Sequence, residues 1–279
     1  MKYSECREWL ENRRLKKGSK PGLTEVKKLL EAMNHQSFEI PYIHIAGTNG
    51  KGSIGYLIEA SLTKSRFKVG RFLSPAVIDE REIILVNSKM VAKTVWERNL
   101  SLIIEKIESM NLEATAFEIE FVLSLMIFKD LKCDICIIEC GMGGLLDATN
   151  VIDGSLVDII TSISMDHCAF LGDSLKEISL HKFGIIKQNS KNLVVAPQKD
   201  EIYDYLSEYL NEHSDCCNEI IKCDKSKEHH THFCVNNSVV QILSYKEYTD
   251  LKYSLAGEHQ IDNAITALDV LDILKKEGL

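Results

Sequence analysis

Short apolar runs rich in β-branched residues alternate with helix-like segments along most of this chain. Runs such as IPYIHIAG at 40–47, CDICIIECG at 133–141 and VDIITSIS at 157–164 have the length and composition of buried strands. Apolar residues at helical spacing fill the segments between such runs, for example 94–110. This alternation predicts an α/β fold with a mostly parallel sheet flanked by helices. The less regular stretch 230–256 predicts a small β-rich part near the end.

Composition limits the classes of function. The 279 residues suffice for one large domain or two smaller ones, and they are 45% hydrophobic and 27% charged, as in ordinary globular proteins. The formal net charge of -8 argues against a nucleic-acid-binding surface, which is normally basic. No apolar stretch reaches the length of a membrane span, and the N-terminus MKYSECREWLENRRLKK lacks the apolar core of a signal peptide. We therefore expect a cytoplasmic protein without nucleic-acid or membrane partners.

Cysteine usage agrees with that compartment. The chain has nine cysteines, an odd number in a protein that is not small, and this is typical of reduced thiols in a cytosol. Cys133 and Cys136 form a CxxC pair, but no second pair follows at zinc-site spacing. They fall in a predicted strand, where residues i and i+3 point to opposite faces, and this favours core packing over metal binding.

The segment IHIAGTNGKGS at 43–53 places a glycine-rich loop and a lysine between a predicted strand and a helix. Glycines let backbone N–H groups approach an anion closely, and a helix N-terminus adds partial positive charge. Lys51 would then neutralise phosphate charge. The strict phosphate-loop pattern is not met, since Ile45 replaces its first glycine and Gly52 separates Lys51 from Ser53. The alternative is a glycine-rich turn with an incidental lysine; the position after a strand favours phosphate binding.

Three chemistry-bearing segments follow predicted strands directly: GTNGKGS, ECGMGG and SMDH. Ligands of open parallel sheets bind at the carboxyl ends of the strands. The sequence therefore predicts one site at that edge of the sheet. Glu139 could simply be an acid at a solvated strand end, but an acid beside GMGG that faces phosphates suits a metal ion better.

The segment HIAGTNGKGS resembles the nucleotide loop of the folylpolyglutamate synthase and dihydrofolate synthase family, which lies within the Mur ligase superfamily. Further blocks resemble the same family and follow its order. They cover most of the chain from about 20 to 265 and read KPGLTEVKKLLEAM, GRFLSPAVIDEREI, TAFEIEFVLSLMIF, CDICIIECGMGGLLDATNVI, DIITSISMDHCAFLGDSLKEISLHKFGIIK and LAGEHQIDNA.

The resemblance implies a P-loop NTPase-like, Mur-ligase-type ATP-binding domain at residues 1–279. It implies an ATP-dependent ligase that joins L-glutamate to a folate through an acyl phosphate, with dihydropteroate as a further candidate substrate. ATP and Mg²⁺, the latter as two ions, would be the cofactors, and the protein would be a monomer. The alternative is a non-catalytic module that binds Mg-ATP or folate. A Mur-type cell-wall ligase is the weaker third reading.

The resemblance also assigns roles to residues of this sequence. Those assigned to catalysis are Lys51, His167 and Lys182, and carbamylation of Lys182 would turn a cation into an anion that helps hold a second Mg²⁺. Those assigned to metal are Ser74, Glu139 and His167. Those assigned to the nucleotide are Gly47, Thr48, Asn49, Gly50, Lys51, Gly52, Ser53 and Asn263. Those assigned to the folate are Thr115, Phe117, Glu118 and Asp147.

Ordinary structural interpretations remain open for several of these residues. His167 could be a structural histidine, and Asp166 could orient it or cap the next turn. Asn263 could cap the final helix. Lys182, without the resemblance, is an unremarkable helix lysine.

The sequence departs from the family pattern at four places. The Ser-Pro loop reads SPAV without the usual histidine, Leu145 replaces an arginine after GMGG, and bulky Phe183 follows Lys182. The loss of the arginine removes a group that could clamp a phosphate or carboxylate. The family also has a second α/β domain, which would begin where this chain stops at Leu279. We expect a fragment, a truncated gene product or a partner of a separately encoded C-terminal domain.

Overall fold

The computed structural model describes residues 1–18, 20–34, 38–213, 217–235, 238–253, 255 and 257–279. The helices are α1 (Tyr3–Lys17), α2 (Thr24–Ala32), α3 (Lys51–Lys64), α4 (Lys93–Met110), α5 (Ala116–Asp130), α6 (Cys168–Leu171), α7 (Leu175–Phe183), α8 (Asp200–Glu212) and α9 (Glu258–Lys276). The strands are β1 (Tyr42–Ala46), β2 (Val69–Phe72), β3 (Ile84–Val86), β4 (Lys89–Met90), β5 (Ile135–Glu139), β6 (Val157–Ile160), β7 (Asn192–Val195), β8 (Glu219–Lys222), β9 (Glu228–Val235), β10 (Ser238–Tyr245) and β11 (Tyr248–Tyr253).

Eight strands form the main sheet, in the order β4-β3-β2-β5-β1-β6-β7-β8. All neighbours from β2 to β8 run parallel, whereas β3 and β4 add an antiparallel edge. Strands β9, β10 and β11 form a separate antiparallel sheet. The predicted α/β fold and its β-rich part are both confirmed.

The central strands are buried on both faces, which explains their continuous apolar sequences. On β1, Ile43 and Ile45 join a core with α3 and α9, whereas Tyr42 joins the core with α4 and α5 on the other face. Because side chains alternate along a strand, one apolar run fills two cores. The helices therefore cover both faces and leave the carboxyl edge of the sheet open to loops.

Helix α7 ends at Phe183, and Gly184 caps it. Strands β3 and β4, of three and two residues, are too short to show an alternating pattern in the sequence. Strand β8 was not predicted either, because its residues alternate between half-buried and exposed and form no buried apolar run.

Cys133 and Cys136 are buried in the hydrophobic core, as predicted. The prediction that they point to opposite faces of a strand was wrong, because Cys133 precedes β5 and both side chains join the same core. Within the described ranges, no group of three His, Cys, Asp or Glu side chains is arranged to hold a metal ion. No helix in the part of the chain that the structure describes is long and apolar enough to cross a membrane.

Candidate nucleotide and substrate site

Residues 47–50 form a loop between β1 and α3, here called the glycine loop. Gly47 has φ +148° and Gly50 has φ +94°, conformations that L side chains rarely adopt. A Cβ atom on Gly47 would lie 1.9 Å from Oγ1 of Thr161, at the end of β6. The loop is therefore pressed against the neighbouring strand, and glycine is required for both space and backbone angle.

Two lysines converge on one carbonyl of the glycine loop. Nζ of Lys51 donates to the Gly47 carbonyl at 3.1 Å and to the Thr48 carbonyl at 3.2 Å. Nζ of Lys182, from α7, donates to the same Gly47 carbonyl at 2.9 Å. Burial, followed by the charge of Lys51, lowers the pKa of Lys182 to about 8. The structure thus brings together two predicted catalytic residues that are 131 positions apart in sequence (182 − 51).

Glu139 ends β5, the strand beside β1, and its side chain lies near Lys51. Its Oε1 atom is 4.0 Å from Nζ of Lys51. Burial raises the pKa of Glu139 to about 7, and the charges of Lys51 and Arg71 oppose that rise. Among the described residues, no donor forms a hydrogen bond with this carboxylate. Its oxygens are therefore available to bind a cation.

Arg71 and Glu59 lie beneath the glycine loop and were not predicted from the sequence. Nε of Arg71 on β2 is 3.0 Å from Oε2 of Glu59 on α3, and Glu59 is fully buried. Nη1 of Arg71 also reaches the carbonyl of Gly52 at 3.4 Å. An arginine inside the apolar strand VGRF was the available signal, because a buried charge requires a partner.

A cavity of about 400 Å³, here called the Ser74–His167 cavity, lies at the same edge of the sheet. Two predicted metal ligands and all four predicted folate contacts line it: Ser74, Thr115, Phe117, Glu118, Asp147 and His167. His167 adopts a left-handed conformation with φ 49° at the start of α6, and its Nε2 lies 3.5 Å from the Asp166 carboxylate. The structure therefore gathers residues from four separate segments.

Two of these acids are held by the protein itself. Oε2 of Glu118 accepts hydrogen bonds from the backbone N–H and the hydroxyl of Thr115 at 2.6 and 2.8 Å, forming a capping box at α5. Oε1 of Glu118 accepts from the backbone N–H of Val26 in α2 at 3.1 Å. Both oxygens are thus engaged in structure, which weakens the predicted role of Glu118 in binding folate.

Asp147 is similarly engaged. Its Oδ1 accepts from the hydroxyl of Thr149 at 2.6 Å, and its Oδ2 accepts from the backbone N–H of Met142 at 2.8 Å. Burial raises the pKa of Asp147, and these hydrogen bonds oppose the rise. Asp147 therefore fixes the GMGG loop at the cavity wall.

Asn263 lies within α9 and not at its first residue, so it does not cap the helix. Its Nδ2 donates to Oε1 of Gln260 at 3.1 Å. A Cβ atom added to Gly50 would lie 2.3 Å from Oδ1 of Asn263, so this side chain borders the glycine loop. That position agrees with the predicted nucleotide contact.

The predicted metal ligands are divided. Ser74 and His167 line one cavity, whereas Glu139 stands beside Lys51 at the glycine loop. Only one of these three predicted ligands, Glu139, is a carboxylate, so the protein offers few ligands to a metal ion.

A profile of the Mur ligase middle domain matches residues 45–271. The chain belongs to this family. The matched range includes the glycine loop, β5 with Glu139, and α7 with Lys182.

This chain is similar to several proteins that are named as folate enzymes. It is 33% identical to the dihydrofolate synthetase of Saccharomyces cerevisiae over 92% of this chain and 58% of the relative. It is 32% identical to the dihydrofolate synthase/folylpolyglutamate synthase of Bacillus subtilis over 99% of this chain and 65% of the relative. The structure of Mycobacterium tuberculosis folylpolyglutamate synthase complexed with ADP and AMPPCP matches with a TM-score of 0.80 at 27% identity, over 92% of this chain and 60% of the other.

The chain thus spans 58% and 65% of the length of these two curated relatives. The matched part holds the glycine loop, Glu139, Lys182 and the Ser74–His167 cavity.

Proposed function

We propose that this chain is the ATP-binding part of a ligase that joins L-glutamate to a folate through an acyl phosphate. The observation that carries the proposal is the convergence of Lys51 and Lys182 on the Gly47 carbonyl, beside Glu139, at the end of β1. Phosphoryl transfer to a carboxylate brings anions together and needs positioning and charge neutralisation above all. The Lys51 ammonium group and the N-terminus of α3 supply positive charge at this place, and Lys182 lies beside them.

Mg²⁺ fits the residues at this site. The buried Glu139 carboxylate accepts no hydrogen bond in the described part of the chain, and its cationic neighbour is 4.0 Å away. Mg²⁺ prefers oxygen ligands and keeps several waters, so the single carboxylate of Glu139 is sufficient on the protein side. His167 is a less typical ligand for this ion. When bound, Mg²⁺ would neutralise phosphate charge; two ions are the family expectation.

The same lysines have distinct tasks in this proposal. Lys51, at the first position of α3, would pair with the terminal phosphates. Lys182 is 1% exposed and has a pKa near 8, so much of it is the neutral amine at mildly alkaline pH. A neutral amine attacks CO₂ and releases a proton to give a carbamate. We include this modification of Lys182 in the proposal.

The Ser74–His167 cavity is the proposed site for the folate or dihydropteroate. Phe117 and Phe170 contribute aromatic rings to the wall of this cavity, and a pterin ring is flat and aromatic. The two curated relatives carry dihydrofolate synthetase or folylpolyglutamate synthase in their names, which supports this substrate class. With Glu118 and Asp147 already hydrogen bonded, Phe117 and Thr115 are the better candidates for contact.

We propose further that residues 1–279 act as one ATP-binding domain, as a cytoplasmic monomer. The curated relatives are longer than this chain, so a glutamate-binding domain in the same or a separate polypeptide is part of the proposal. The second candidate is a module that binds Mg-ATP or folate without ligation, and the sparse set of predicted metal ligands at the site supports it.

The test is a mass-spectrometric assay of the purified chain with Mg-ATP, L-glutamate and either tetrahydrofolate or dihydropteroate. We expect the chain to bind ATP, with binding weakened in Lys51→Ala and retained in Lys64→Ala at the other end of α3. When the glutamate-binding domain is present, we expect a product one glutamate heavier. Binding of ATP without product would support the binding module. Failure of the wild-type chain to bind ATP would overturn the proposal.

A further inference from the structure

A second and larger cavity, of about 630 Å³, lies away from the glycine loop. We call it the α2–α8 cavity, because Leu23 and Lys27 at the start of α2 line one side and Tyr209 of α8 lines the other. Its volume is in the range of small-molecule sites. None of the residues assigned above to nucleotide, metal or folate lines it.

One segment separates the two cavities. Leu145, Asn150 and Val151 line the α2–α8 cavity, whereas Leu146 and Ala148 line the Ser74–His167 cavity. Leu145 and Leu146 are 46% and 41% exposed, each toward its own cavity. The segment is anchored on both sides.

The anchors of this wall are backbone hydrogen bonds and one amide. Leu145 N–H donates to the His181 carbonyl at 2.7 Å, and the Leu146 carbonyl accepts from Gly22 N–H at 3.0 Å. Nδ2 of Asn150 donates to the Gly184 carbonyl at 2.9 Å. The wall is therefore a fixed partition, and the α2–α8 cavity is a preformed space.

The α2–α8 cavity offers three features to a ligand. Tyr209 and His213 stack with ring centroids 4.1 Å apart and planes 14° apart, and they present a flat aromatic surface. Asn150 is 7% exposed, and its Oδ1 has no hydrogen-bond partner among the residues that the structure describes. A buried acceptor of this kind favours a donor. The Lys27 side chain forms no hydrogen bond or ion pair with any described residue.

The second lysine of the cavity is compensated. Nζ of Lys187 lies 2.8 Å from the Asp153 carboxylate, so this pair is neutral. Glu212 also lines the cavity and is the one acid there without an ion pair among the described residues. Lys27 is left as the cation that an incoming group can neutralise.

We propose that the α2–α8 cavity binds a small aromatic anion that carries an N–H donor. Its ring would lie against Tyr209 and His213, its N–H would meet Asn150, and its anionic group would pair with Lys27. The occupant would press on the partition whose other face forms the folate cavity proposed above, without touching a residue assigned to catalysis.

The probe for this proposal is anilinonaphthalene sulfonate, an aromatic sulfonate with an anilino N–H. We expect saturable binding to the purified chain, with intermolecular NOEs from the probe to the methyl groups of Leu145 and Leu23. The adjacent Leu146 serves as the internal control, because it faces the other cavity. Since neither nucleotide nor folate is present, the result is independent of the ligase proposal.

Two matched variants test the charge. Lys27→Glu should weaken the affinity about tenfold, equivalent to about 1.4 kcal/mol. Lys28→Glu makes the same change of charge one position away, at a lysine paired with Glu25, and should leave the affinity unchanged. NOEs to Leu146 or to the exposed Leu15 instead of Leu145, or equal effects of the two variants, would overturn the proposal.

Discussion

Arg71 and Glu59 form a buried ion pair that joins β2 to α3 directly beneath the glycine loop. Their Nε and Oε2 atoms are 3.0 Å apart, and Glu59 also accepts a hydrogen bond from the backbone N–H of Ser88. The pair therefore ties the helix that begins at Lys51 to the strand that leads to Ser74. Both ends of the candidate site depend on it.

The first prediction concerns this pair. Arg71→Met should lower the free energy of unfolding by about 3 to 5 kcal/mol, because it leaves the Glu59 carboxylate buried and unpaired. The double variant Arg71→Met with Glu59→Met should lose less than the sum of the single variants, since both charges are then absent. Urea unfolding of the four proteins measures the coupling.

The exposed pair Arg98–Asp130, with atoms 2.6 Å apart, is the control for that cycle. Its coupling should stay below about 1 kcal/mol, as is usual for solvated ion pairs. Equal coupling in both cycles would show that burial of Arg71 and Glu59 does not matter.

The second prediction concerns the contact of the glycine loop with β6. Gly47→Ala should destabilise the protein by more than about 2 kcal/mol and weaken nucleotide binding, because the new Cβ meets Thr161 at 1.9 Å. Gly154→Ala is the matched control: Gly154 also has a positive φ, +83°, but no atom lies within 4 Å of the added carbon. Its cost should stay near 1 kcal/mol. Thermal unfolding and ATP titration give both readouts, and equal losses would contradict the steric argument.

The third prediction separates structure from binding at Glu118. Glu118→Ala should cost about 2 to 3 kcal/mol, because it removes a capping box and the acceptor for the Val26 backbone. Glu177→Ala removes the equivalent capping box of α7, which is exposed and joins no second helix, and should cost about 1 kcal/mol. Denaturant unfolding compares them. If Glu118→Ala costs no more stability than Glu177→Ala, the structural role of Glu118 is contradicted and it remains a candidate substrate contact.

The fourth prediction concerns pH. Burial raises the pKa of Asp158 from 3.8 to about 7, despite nearby Ser190 and Ser155. Between those values the folded protein binds more protons at this site than the unfolded chain, so the stability contribution falls as pH rises. Asp158→Asn should remove that slope. Its stability relative to wild type should increase by about 2 to 3 kcal/mol from about pH 5 to about pH 8.

Asp153→Asn is the control for the pH experiment. Its side chain is 63% exposed and pairs with Lys187, so its effect should stay below about 1 kcal/mol at both pH values. Urea unfolding at the two pH values measures each difference. A flat difference for Asp158→Asn would mean that its carboxyl group is ionised throughout.

The sequence was sufficient for the sheet and for the position of the site. The β-branched run before GTNGKGS and the runs before GMGG and SMDH each give a strand whose end meets the others at one edge, and a parallel sheet dictates this convergence. The glycine loop was recognised despite Ile45 and Gly52, because its strand, glycines and lysine carry the physical requirement.

The contacts between side chains that are distant in sequence could not be predicted from the sequence. Lys182 meets the Gly47 carbonyl through the packing of α7, and no local pattern records a contact across so many residues. Glu118 resembles a substrate contact by position, yet its two oxygens are taken by Thr115 and Val26. The pair of Arg71 and Glu59 is invisible until β2 and α3 are placed side by side.

Because Lys51 and Lys182 share the Gly47 carbonyl, an anion that binds at this loop exchanges existing hydrogen bonds for new ones. Lys51 and Lys182 each donate a hydrogen bond to that oxygen. An incoming phosphate must displace these bonds, so its net gain is the difference between two sets of contacts. The Gly47 carbonyl thus holds the side chains of Lys51 and Lys182 close together at this loop.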